Sequence, residues 1–61
     1  MSYEIERTKR AVELACKWYD TFTNKKLTEE QEQQFIEECK DADMAEQVMR
    51  FITIRLALQN D

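Results

Sequence analysis

Residues 39–58 read CKDADMAEQVMRFITIRLAL, and the fold turns on two questions about them: whether the chain breaks near Asp41, and whether the second half is helix or strand. Asp43 followed three residues later by Glu46 is a capping-box pair, which predicts a third helix opening at about Met44. One continuous helix over 29–59 is the rival reading, because no residue here forbids it. Asp41 and Asp43 interrupt the apolar pattern and favour the break. From Ala45 onward, Ala45, Val48, Met49, Ile52 and Leu56 fall on one helical stripe, widened by Met44, Phe51 and Leu58. The run FITIRLAL also alternates, with Ile52, Ile54, Leu56 and Leu58 on one side. No second β-rich run exists to pair with it, and a lone strand leaves its backbone groups unpaired, so the spacing is read as a helix over 44–59.

Working back along the chain, Thr28-Glu29-Glu30-Gln31 matches a capping box and predicts a helix over 29–40. Its first-turn glutamates meet the positive end of the macrodipole. Phe35, Ile36 and Cys39 give that helix a narrow apolar edge. A first helix is predicted over 3–23, with Ser2 as its N-cap. Ile5, Val12 and Tyr19 recur every seven residues there, and Ala15 and Phe22 share the stripe. Ala11, Leu14, Cys16 and Trp18 flank it, so the apolar face is broader than one neighbour covers. Glu6 with Arg10 and Glu13 with Lys17 are i, i+4 pairs in the favourable order. Asn24, Lys25 and Lys26 supply a polar turn.

Composition agrees with helices joined by short turns. The 61 residues hold no glycine, proline or histidine, so positive φ is costly and nothing forces a break. The expected fold is all-α: one domain, 1–61, of two or three helices, the first antiparallel to the last. A core this small supplies only about 3–5 kcal/mol, which argues for a homodimeric bundle. Cys16 and Cys39 lack the dense spacing of a disulfide framework and are read as reduced, buried apolar residues. The N-terminus has no apolar signal region and no uncharged apolar run approaches ~18 residues. No membrane association is therefore expected, and the cytoplasm is the expected compartment.

The net charge of −4 is unevenly spread: six Lys/Arg face four Asp/Glu in residues 1–26, whereas one faces eight in 27–47. That acidic run lacks the glycine of a calcium loop and the histidines of a di-iron site. It reads as a solvated face, with Glu29, Glu30, Glu37, Glu38 and Asp41 as a docking surface for a basic partner. Without histidine or a glycine-rich loop, neither cysteine nor any hydroxyl has an activating base, so no enzyme activity, catalytic residue, cofactor, metal or small-molecule substrate is expected.

Nucleic-acid binding would use Arg7, Lys9, Arg10, Lys17, Lys25 and Lys26, with Tyr3, Trp18 and Tyr19 to stack on bases. The neighbouring acid weakens that reading, so nucleic acid is an unlikely partner. The broad aromatic faces point instead to protein contact, through Val12, Ala15, Trp18, Tyr19, Phe22, Val48, Phe51, Ile52 and Arg55, in a homodimer or with a partner protein. The stem of Arg55 is expected to snorkel to water; the alternative is a pair with an acid across an interface. In size, acidity and helicity the chain resembles accessory proteins of bacteriophages and mobile elements, a resemblance of composition and not of motif. The expected function is that of a small non-enzymatic protein-binding or regulatory protein. A nucleic-acid-associated regulator and a structural assembly module are the alternatives.

Overall fold

A computed structural model of the chain, describing residues 2–24 and 26–59, contains three helices: α1 (Ser2–Asn24), α2 (Glu29–Cys39) and α3 (Ala42–Gln59). There is no strand among the described residues, so FITIRLAL is helical. Thr28 caps α2 as its sequence predicts: its hydroxyl accepts from the Gln31 amide at 3.1 Å, and its own amide donates to the Gln31 side chain at 3.0 Å. Ser2 lies inside α1 and is a first-turn residue rather than its cap.

The break between α2 and α3 is real, but its cap sits two residues earlier than expected. Asp41, not Asp43, receives the Met44 amide, at 2.7 Å. Asp43 occupies the first turn instead, where its charge still meets the positive helix end. Lys40 ends α2 with φ 76°, the one non-glycine residue at positive φ among those described, while its amide closes onto the Ile36 carbonyl at 2.9 Å. Helices commonly end on glycine for this reason, since a Cβ here costs about 1 kcal/mol or more. Lys40→Gly is therefore expected to raise stability by about 0.5–1 kcal/mol after the larger unfolded-state entropy of glycine is subtracted. Urea unfolding measures it, and a lowered midpoint would show that the junction is unstrained.

Two short junctions reverse the chain twice, and the topology follows from that. Arg7 reaches Asp41 at the start of α3, and Tyr19 reaches Gln59 at its end, so α1 and α3 run side by side in the same direction. The expected antiparallel arrangement of first and last helices is corrected accordingly. The short α2 is the antiparallel element, returning the chain to the beginning of α1.

The core is formed by Ala11, Leu14, Ala15, Trp18 and Tyr19 of α1, Phe35 and Cys39 of α2, and Met44, Val48 and Ile52 of α3. Its centre on α1 is Trp18, whose ring meets Phe22 and Phe35 edge-on at centroid distances of 6.2 and 5.4 Å. Ala11 and Ala15 leave room for α3 beside this bulky ring. The expected central stripe was phased differently: Ile5 and Val12 are exposed on α1, and Met49 and Leu56 on α3. Phe35 and Cys39 of the α2 edge turn inward, but Ile36 is exposed.

The molecule is flat, measuring 36 × 31 × 15 Å across its Cα atoms. Its accessible surface is 4989 Å², whereas a compact monomer of its 7.4 kDa mass would expose about 4,200 Å².

Candidate protein-contact surface

The polar groups that fasten α2 to α1 converge on Glu38. One carboxylate oxygen accepts the Trp18 indole N–H at 2.9 Å; the other accepts Lys17 Nζ at 2.8 Å and Gln34 Nε2 at 3.1 Å. These donors favour the ionised form, Lys17 foremost, and pull the Glu38 pKa down from the usual 4.5 to about 2. Asp41 is similarly held below the ordinary carboxylate range by Arg7, whose guanidinium forks onto both its oxygens at 3.2 and 3.3 Å, and by the Met44 amide it caps. Neither acid is available as the docking group its sequence context suggests. Of the five predicted docking acids, Glu29, Glu30 and Glu37 are exposed and have no ion pair among the described residues.

The same contacts use up cations assigned to nucleic acid. Lys17 pairs with Glu38 rather than with Glu13, and Arg7 pairs with Asp41; Glu6 and Arg10 form no ion pair among the described residues. Trp18 and Tyr19 are inside the core and cannot stack on bases. Lys9, Arg10 and Lys26 are exposed, while Lys25 lies outside the described residues. Tyr3 is exposed, with the Arg7 guanidinium 5.8 Å from its ring centroid.

Of the nine residues predicted to make a partner or dimer interface, Ala15, Trp18, Tyr19, Val48 and Ile52 are buried within the chain itself. They face α2 or the α1–α3 seam, so they are core rather than surface. Phe22 and Phe51 are half-buried, and Val12 and Arg55 are exposed. Val12, Phe51 and Arg55 come together: with Cys16, and with Ala15 and Ile52 as its floor, they line an apolar groove of about 170 Å³ between α1 and α3. Arg55 does not reach out alone, and it has no ion pair among the described residues. Its guanidinium lies 4.4 Å above the Tyr19 ring centroid, a cation–π contact that holds the charge at the end of the groove. The Tyr19 hydroxyl is satisfied in turn by donating to Gln59 Oε1 at 2.7 Å.

Cys16, expected to be buried, is exposed on the rim of this groove. Cys39 is buried as predicted, and burial pushes its thiol pKa upward. By helical phase, three further exposed apolar residues lie along the same sides of α1 and α3. Ile5 precedes Val12 by two helical turns on α1; Ile54 and Leu58 follow Phe51 at i+3 and i+7 on α3. Their exposures are 68 % for Ile5, 44 % for Val12, 50 % for Ile54 and 70 % for Leu58. The usable signal was Trp18: phasing α1 on its largest side chain turns Ile5, Val12 and Cys16 outward together.

Among the described residues no three carboxylates or thiols converge, and no helix is long and apolar enough to cross a membrane. No family model matches the chain, and neither does any curated protein or solved structure.

Proposed function

We propose that this chain is a small non-enzymatic binding protein of regulatory type, acting by contact with protein through the α1–α3 face rather than through the acids of α2. The supporting observation is the groove lined by Val12, Cys16, Phe51 and Arg55, prolonged by the exposed Ile5, Ile54 and Leu58. Contiguous apolar surface of this kind is costly to leave in water and usually marks an interaction site. Arg55, anchored over Tyr19, gives the face one oriented charge, an arrangement common at interface hot spots. The solvated acids of α2 add long-range field that speeds encounter and excludes acidic partners. The cytoplasm is the compartment proposed, in keeping with two unpaired cysteines.

The test is comparative capture. Ile54→Asp with Leu58→Asp alters only exposed positions, so the variant is expected to keep its helical circular dichroism. Proteins retained by the parent chain should be lost from the variant, while Glu30→Lys with Glu37→Lys should retain them. Equal retention by parent and Ile54/Leu58 variant, or loss on the α2 variant alone, overturns the assignment of the face. Retention of DNA in place of protein, falling steeply with salt, would favour a nucleic-acid role.

A further inference from the structure

We infer that the α1–α3 groove takes a helix of a partner protein, which seats one large apolar side chain between Val12 and Phe51 and lays a carboxylate, one turn away, on Arg55. This rests on the contact surface proposed above and specifies the chemistry of what covers it.

Size selects an interface pocket over a ligand cavity. The groove holds about 170 Å³, whereas sites that enclose a free small molecule run to about 300–1,000 Å³. It has room for one anchoring side chain, the form that interface hot spots commonly take. The lining gives that anchor its character. Val12, Cys16 and Phe51 form walls over a floor of Ala15 and Ile52, and only the weakly polar thiol departs from hydrocarbon. Both walls are helices, and no strand exists among the described residues to offer a sheet edge. A helix with an apolar stripe is the element that lies along such a seam. Ile54 and Leu58, one and two turns beyond Phe51 and exposed, lengthen the contact for that stripe.

Charge specifies the rest. Arg55 is the one charged residue lining the groove. Its guanidinium is fixed 4.4 Å above the Tyr19 ring centroid, a contact that holds it in place but supplies no carboxylate. It has no ion pair among the described residues. α3 carries no acid after Glu46, and Asp20, next to Tyr19 on α1, is exposed and forms no ion pair with it. In the free chain water solvates Arg55, which is exposed. A protein seated on the groove strips that water, and a charge covered without a counterion is strongly unfavourable. The partner therefore has to bring the counterion, and a carboxylate meets the planar guanidinium with two parallel hydrogen bonds. Arg55 follows the floor residue Ile52 by three positions, about 5 Å along the helix axis, which sets the acid one turn from the anchor. Lys9, Glu13 and Asp20 stand farther out on α1 and Arg50 on α3, all exposed. Their mixed signs favour neither charge, so Arg55 alone orients the partner.

Selection from a displayed library tests this. Helical peptides of about four turns, randomised on one face, are selected on the parent chain and counter-selected on the Ile54→Asp, Leu58→Asp chain. The parent should enrich Asp or Glu three or four residues from a Leu, Phe or Met, and Arg55→Glu should enrich Lys or Arg at the same place. In a selected peptide, changing the acid to its amide should weaken binding to the parent at least tenfold and leave binding to Arg55→Gln unchanged. Arg55→Lys keeps the charge without the fork, and should bind the acidic peptide several-fold more weakly than the parent does. Circular dichroism matching the parent's shows that each variant is folded. Face-dependent peptides with no acid preference, or with the same preference on Arg55→Glu, overturn the carboxylate and leave the contact surface standing. Failure to obtain any peptide that the Ile54/Leu58 variant loses overturns both. A parent chain that sediments as a dimer, dissociated by Val12→Asp, would make a second copy the occupant and overturn the partner helix.

Discussion

Trp18→Ala is expected to leave the chain largely unfolded at 25 °C. Removing a buried indole costs about 3–5 kcal/mol, and a core of this size supplies about that much in total. Three losses coincide at this position: the edge contacts to Phe22 and Phe35, the volume around which Ala11 and Ala15 are fitted, and the indole donor to Glu38. Phe22 and Phe35 remain in contact at 5.0 Å, but the ring that both of them meet is gone. Far-ultraviolet circular dichroism measures the outcome, with Trp18→Phe as the companion. The phenyl ring keeps most of the packing and drops only the donor, so that variant should fold with a loss of about 1–2 kcal/mol. A Trp18→Ala chain that still melts cooperatively near the parent's midpoint would show that the aromatic cluster is not what holds α2 in place.

The second large effect is acid sensitivity centred on Glu38. Its carboxylate is held at about 2 in the folded chain against 4.5 ordinarily. A depressed folded pKa contributes stability that is fully present above the unfolded value and is lost as protons bind the folded state. Stability is therefore expected to be level above about pH 5 and to fall steadily from pH 4.5 towards pH 2, with Asp41, also depressed, adding slope of the same sign. Glu38→Ala should cost about 2 kcal/mol at pH 7, chiefly by leaving the Trp18 N–H without its charged acceptor. The Lys17 contribution is small because that side chain is 58 % exposed. Glu38→Gln keeps an acceptor for Trp18, and should flatten most of the pH dependence while costing less at neutral pH. Urea unfolding at pH 3, 4, 5 and 7 decides: an unchanged acid slope in Glu38→Gln would place the sensitivity elsewhere.

These two residues also show how far the sequence could be read. Glu38 stands in a run of acids that looks uniform, and nothing in the spelling distinguishes it from Glu37. Only the return of α2 along α1 brings it to Trp18 and Lys17, twenty residues away. Thr28 was legible because a capping box is local, both halves lying within four residues. The break near Asp41 was legible for the same reason, but two aspartates at i and i+2 offered equally good caps. The choice was made by Arg7, which ties Asp41 from another helix.

Helix existence came from periodicity, whereas helix phase did not. Ile5, Val12 and Tyr19 share a heptad spacing, yet Tyr19 is buried and the other two are exposed, because the wide apolar surface of α1 allows more than one centre and packing volume decides among them. Direction is a property of the two junctions together. With α2 counted as a full element, α3 must return parallel to α1; with α2 folded into a longer helix it would not. The candidate face was half-visible for related reasons. Val12, Phe51 and Arg55, which line the groove, were among the residues assigned to an interface. Ala15, Trp18, Tyr19, Val48 and Ile52 were assigned with them, although a flat three-helix unit buries those first.

The surface carrying Ile5, Val12, Ile54 and Leu58 is where we propose that this protein meets protein. Methyl resonances followed by nuclear magnetic resonance, over a dilution series of about 10 to 500 µM and again with the proteins that the parent chain captures added, test it residue by residue. Shifts confined to Ile5, Val12, Ile54 and Leu58, with the exposed Ile36 of α2 unmoved, are the predicted result; movement of Ile36 while those four stay fixed would contradict it.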